Sequence, residues 1–136
     1  MSHMVGLTTS IRDVNALIRA LGCMDLTNVT QHKTAVQLKD YWGRPSQLKG
    51  NVIVPRGTLG LHADMGFELM KDGTYMIHAD HYDTEKQYNG KFNAEWQTKL
   101  FTRCNVETAK IAFEKKKMKY VEDVDDQNRI RLRARI

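Results

Sequence analysis

The chain has 136 residues, 41% hydrophobic and 27% charged, which is the size and make-up of one globular domain. No apolar run approaches the ~20 residues of a membrane-spanning helix, and two isolated cysteines, Cys23 and Cys104, form no disulfide framework or Cys-x-x-Cys pair. The net charge of +5 is unevenly placed: residues 96–136 carry 11 of the 21 basic side chains and only 6 of the 16 acidic ones, so the last third holds the whole excess.

In chain order, Val5 to Ile11 reads as a first strand. Asp13 is then the expected N-cap of a helix, because its carboxylate can accept from the free amides of the first turn. Val14, Leu17, Ile18 and Leu21 recur at helical spacing and give that helix one apolar face. Gly22 fits the left-handed position that ends such a helix. Leu26 to Leu38 reads as one strand or two short ones, and Tyr41-Trp42-Gly43-Arg44-Pro45 as a turn.

Asn51-Val52-Ile53-Val54 is a short β-branched strand stopped at Pro55. Arg56 to Gly60 is a loop. His62 to Met70 and Thr74 to Tyr82 are the arms of a hairpin about Asp72-Gly73, since Asp-Gly supplies the positive backbone angles of a tight turn. Asp83 to Gly90 is polar loop. Phe92 to Lys117 is helical in composition, with an interruption expected at Asn105, which can cap a second segment. Tyr120 to Val124 and Arg129 to Ile136 form a second hairpin. Two main helices with strands between and after them predict a single compact α+β domain over residues 1–136, with a mostly antiparallel sheet.

Three constellations bear on function. The last strand alternates: Arg129, Arg131, Arg133 and Arg135 fall on one face, and Ile130, Leu132, Ala134 and Ile136 on the other. With Lys115, Lys116, Lys117 and Lys119 before it, this face is a candidate nucleic-acid surface, since a guanidinium donates two parallel hydrogen bonds to a phosphate. Tyr120, Tyr41 and Trp42 are candidate stacking platforms for bases. The plainer reading is a soluble edge strand whose charges prevent sheet-to-sheet association.

The second constellation is His62, Asp64, His78 and Asp80 on the arms of the central hairpin. Imidazoles and carboxylates on one sheet face suit zinc, iron or manganese, so a metal-dependent enzyme is one reading. No established ligand spacing is matched, and the polar outer face of a half-buried sheet explains the same residues. The third is Cys104 beside Arg103, where a nearby cation lowers a thiol pKa. A buried thiol on a helix core face is the simpler account. No nucleotide-binding loop, nucleophile elbow or other cofactor motif occurs, so no cofactor is expected and enzymatic activity has no positive support. Free cysteines point to a reducing compartment and buried thiols.

The opening Met1-Ser2-His3, the helix Ala16-Leu17-Ile18-Arg19-Ala20-Leu21-Gly22 and the strand Asn51-Val52-Ile53-Val54 form the first part of a family pattern. Asp64-Met65-Gly66-Phe67 with Asp72-Gly73-Thr74-Tyr75, then Tyr120-Val121-Glu122-Asp123 and Arg129-Ile130-Arg131-Leu132, complete it. In this order and spacing the chain resembles the Ycf-thirty-five family of plastids, cyanobacteria, other bacteria and some phages, over nearly its whole length. The resemblance implies no reaction. Members often sit beside genes for AAA-type ATPases, which implies an accessory role in the cytoplasm or plastid stroma. The chain departs from the family in having His81-Tyr82-Asp83-Thr84-Glu85 where members tend to have a Trp-rich stretch. The central histidines also lie outside the family pattern. The leading expectation is a small non-enzymatic domain that binds a protein partner or a second copy of itself, with nucleic-acid binding and metal-dependent catalysis as alternatives.

Overall fold

A computed structural model describes residues 3–135. The fold is α+β. Its elements are β1 (Met4–Leu7), α1 (Val14–Cys23), β2 (Thr30–Lys39), β3 (Pro45–Val54), β4 (Met65–Leu69), β5 (Tyr75–Asp80), a single-turn α2 (His81–Thr84), α3 (Ala94–Lys115), β6 (Lys119–Val124) and β7 (Ile130–Arg135). The first five strands form an antiparallel sheet in the order β1-β5-β4-β3-β2, and β6-β7 form a separate hairpin. No helix among the described residues is long and apolar enough to cross a membrane.

One face of the large sheet carries the core. Val52, Val54, Met65, Phe67, Tyr75, Ile77 and Ala79 alternate along three adjacent strands and meet Leu17, Ala20 and Leu21 of α1 with Leu100 and Cys104 of α3. Asp13 caps α1 as expected, its Oδ1 accepting from Asn15 N and Ala16 N. Gly22 does not end α1, contrary to expectation. The helix runs to Cys23, and the left-handed residue is Asp25 at φ 67°. The chain reverses there so that the wholly buried Leu26 can donate its N–H to Leu21 O.

The opposite face is closed by a fold in the β2–β3 pair. Its register breaks between Gln31 and Val36, and the carbonyls of His32 and Lys33 in that bulge accept from the buried Asn51 Nδ2 at 3.1 Å each. Beyond the bulge, Leu38 lies against Gly50 and Gly66, where no side chain stands in its way. Asp64 ties this arm down by accepting from Lys39 N and Arg56 N, both at 2.8 Å. The turn bearing Tyr41 and Trp42 is thereby carried to the loop after β3.

Other boundaries shift for local reasons. β1 ends at Leu7 because the following segment leaves the ladder: Thr9 Oγ1 donates to Tyr75 O and Ile11 O accepts from Tyr75 N. β3 begins at Pro45, well before Asn51. α3 runs unbroken through Asn105, and its cap is Asn93, which accepts from Trp96 N. The final hairpin forms as expected but does not join the main sheet. Its inward face packs on α3, with Tyr120 stacked on Phe113 and Glu122 bridging to Arg103 and Lys110.

Candidate functional site

Aromatic and imidazole rings gather at one end of the sheet from four separate segments. Tyr41 and Trp42 come from the β2–β3 turn, which Asp40 shapes by accepting from Trp42 N and Arg44 N at 2.9 Å. His62 comes from the β3–β4 loop. Tyr82 comes from α2, whose cap Asp80 accepts from Tyr82 N. Tyr88 comes from a 3-10 turn spanning Lys86–Tyr88. The Arg56 guanidinium stitches two of these segments together by donating to Tyr41 O and His62 O.

The rings touch in a continuous run. Tyr41 stacks on His62 at 5.1 Å with planes 5° apart, and Trp42 meets Tyr41 edge-on at 4.9 Å. Tyr82 lies 4.5 Å from His81 and 4.4 Å from Tyr88. Trp42 and Tyr88 are the exposed ends, at 57% and 39%. Asp83 organises the centre. It is 3% exposed, and its two oxygens accept from His62 N and Ala63 N, while Oδ1 lies 2.8 Å from His62 Nδ1. This contact engages Nδ1 and leaves Nε2 as the ring nitrogen that Asp83 does not hold. Beside the pair is a cavity of about 70 Å³ lined by His62, Tyr82, Asp83, Asn89, Lys91 and the edges of Gly60 and Gly90.

The four candidate metal ligands are not brought together. Asp64 is spent on backbone amides in a loop before β4. His62 faces Asp83. His78, on β5, meets Glu68 at 2.8 Å, and its Nδ1 is buried without a hydrogen-bond partner. Asp80 accepts from the backbone of His3 and Tyr82. Among the described residues no group of three or more His, Cys, Asp or Glu is arranged to hold a metal ion. The expected convergence required both arms to extend as paired strands past Met65. Instead β4 begins at Met65, leaving His62 and Asp64 in a loop that points them apart.

The arginine strand has the expected alternation, but acidic partners neutralise much of it. Asp123, directly across on β6, accepts from Arg131 at 2.5 Å and Arg133 at 2.6 Å, and Asp125 accepts from Arg129 at 2.9 Å. These pairs lower both carboxyl pKa values, chiefly through the Arg131 hydrogen bond at Asp123 and the Arg129 backbone N–H at Asp125. Ile136 lies outside the described residues. Lys115, Lys116, Lys117 and Lys119 are exposed where α3 turns into β6, the end of a helix that favours cations. Tyr120 is occupied by Phe113 and by donating to Glu114, while Tyr41 and Trp42 belong to the ring cluster instead.

The two edges of the large sheet differ. β2 is bulged and carries Lys33 and Lys39. β1 reads Met-Val-Gly-Leu, has no charge and no bulge, and pairs only with β5 among the described residues. His81 N donates to His3 O at 3.0 Å, which makes that pair a hydrogen-bonded one. By alternation, the amides and carbonyls of Met4 and Gly6 point away from β5, toward the open edge. Leu7 beside them is 45% exposed.

No family model, curated protein or solved structure matches the chain. The sequence signal for the ring cluster was density: from His78 to Phe92 inclusive the chain has five aromatic or imidazole residues. Tyr88 and Lys91 had no pattern to mark them, because only the fold brings them to His62.

Proposed function

We propose that this protein is a non-enzymatic accessory domain, of the kind the Ycf-thirty-five resemblance implies, and that it binds protein by adding a strand to β1. The carrying observation is the unguarded β1 edge. Natural sheets blunt their edges with charges, bulges or prolines, because open amides and carbonyls template further pairing. β2 is blunted in this way and β1 is not. An extended segment laid along Met4–Leu7 would meet two outward backbone positions and an exposed leucine, which is the geometry of strand addition. A second copy of the chain is the simplest occupant, since antiparallel β1–β1 pairing is self-complementary about a two-fold axis.

The test is sedimentation of the full chain against concentration, beside Met4→Pro and Leu7→Lys. Proline at Met4 removes an outward N–H and leaves the β5 ladder intact. A wild-type dimer lost in both variants, with unchanged circular dichroism, supports the reading. A wild-type chain that stays monomeric at its highest soluble concentration, or a dimer indifferent to both substitutions, overturns it.

A further inference from the structure

The cleft beside His62 and Asp83 has a chemistry that strand addition does not use. Its volume of about 70 Å³ is less than half the roughly 150 Å³ of a cavity that takes a benzene ring, so it is sized for a small polar group such as a phosphoryl. Its rim is rich in donors. Lys91 Nζ makes one long contact, 3.4 Å to Leu59 O, and leaves its other protons to the cleft. Asn89 lines the wall. His62, which also lines the cleft, has Nδ1 held by Asp83 and keeps Nε2 as its other polar atom. The one acid in the wall is directed inward, with both carboxylate oxygens occupied by the His62 and Ala63 amides and the imidazole.

Tyr82, Phe92 and two glycines form the rest of the wall. Gly90 sits so close that a Cβ there would lie 2.6 Å from Asp83 O, and Gly60 leaves Lys91 Nζ room at its own bare Cα. A run of rings adjoins the cleft through His62 and Tyr82 and ends at exposed side chains. Tyr88 adjoins Tyr82 at one end, and Tyr41 stacked on His62 leads to the exposed Trp42 at the other. A small donor-bearing cleft beside a run of rings that ends at the exposed Tyr88 and Trp42 matches a ligand with a phosphate at one end and a planar base at the other.

We propose that this cleft binds a phosphorylated nucleoside, with the phosphate against Lys91, Asn89 and His62 Nε2 and the base stacked on Tyr88 or Trp42. The same chemistry is offered by a free nucleotide and by a nucleotide within single-stranded nucleic acid. Two exposed rings at the ends of the run suit a strand, whose successive bases can occupy both. This site is distinct from the arginine face of β7, where Asp123 and Asp125 already take the guanidinium groups of Arg129, Arg131 and Arg133.

The experiment is a titration of the ¹⁵N-labelled full chain, followed by amide shifts, with inorganic phosphate, adenosine, adenosine 5′-monophosphate and a short single-stranded oligouridylate at low salt. Shifts at His62, Asn89, Gly90 and Lys91 are expected with every phosphorylated probe. The monophosphate should bind about tenfold more tightly than phosphate, through stacking. Lys91→Ala should weaken it about fivefold or more and leave adenosine unchanged. Tyr88→Ala together with Trp42→Ala should erase the gain over phosphate. Both sets lie on exposed side chains, so folding is preserved. An oligomer that binds more tightly than the monophosphate identifies a strand as the source, and equal affinity identifies the free nucleotide. Absence of shifts at the cleft with all four probes, or shifts confined to β7, overturns the proposal.

Discussion

Leu38 rests on the bare Cα of Gly66: a methyl there would lie 2.6 Å from one Leu38 Cδ and 2.7 Å from the other. Leu38 is wholly buried and so has no free rotamer to retreat into. Gly66→Ala is expected to destabilise the fold by about 1–3 kcal/mol through overpacking. Leu38→Ala should cost about 2–5 kcal/mol through the cavity it leaves. The double variant should cost less than the sum, because the new methyl occupies part of that cavity. Urea denaturation of the four proteins measures this coupling, and strict additivity would mean the two residues do not share the space.

Gly22 offers the opposite case. It lies inside α1, one residue before the helix ends, and a Cβ there meets nothing within 4 Å. Its backbone needs no positive φ, since Asp25 takes the left-handed position. Gly22→Ala should therefore raise stability by about 0.5–1 kcal/mol, by removing backbone freedom from the unfolded chain. Thermal unfolding checks this, and a fall in midpoint would show that Gly22 has a role beyond the helix.

The difference between these glycines shows where the sequence was readable. Local signals located these elements: apolar spacing for α1, composition for α3, the Asp72-Gly73 turn for the central hairpin and strict alternation for the last strand. Gly22 resembled a helix terminator because glycine commonly is one. What overruled it was Leu26, whose burial fixes where the chain must turn. The bulge in β2 and the fold of Leu38 onto Gly66 depend on contacts between distant segments, and no local pattern announces those. The candidate metal group failed for the same reason: His62 and Asp64 alternate correctly for a strand but lie before β4 begins. His62 and Asp83 were both visible in the histidine- and aspartate-rich stretches, while their pairing follows only from the loop geometry.

The two cysteines have opposite surroundings, and only one is the buried thiol expected of both. Cys104 is 4% exposed in the core, where burial, with Glu107 adding to it, pushes its pKa up to about 12. Cys23 is exposed at the end of α1. A thiol reacts as the thiolate, so Cys104 is doubly protected, by access and by proton affinity. Dithionitrobenzoate should titrate one thiol in the native protein and two in denaturant. Cys23→Ser should abolish the native reaction, whereas Cys104→Ser should leave it unchanged.

Acid should release the final hairpin from α3. Glu122 on β6 accepts from Arg103 at 3.0 and 3.2 Å and meets Lys110 at 2.6 Å, and the Arg103 hydrogen bond, followed by that of Lys110, lowers its pKa to about 2. A carboxyl with a depressed folded pKa contributes stability that is complete above its unfolded value, near 4.3, and is lost as pH falls toward the folded one. Because Glu122 is partly exposed, solvent screening reduces its contribution to about 1 kcal/mol. Glu114, held down to about 2 by Arg19, and Asp123, held down by Arg131, titrate over an overlapping range, so the wild-type curve alone does not isolate Glu122. The difference from Glu122→Gln does. The variant should be less stable by about 1 kcal/mol near pH 6, and the gap should close as pH approaches about 2, where the wild-type carboxyl also becomes neutral. Urea midpoints at several pH values provide the readout. A gap that stays constant across that range would mean the ion pairs with Arg103 and Lys110 do not hold the hairpin in place.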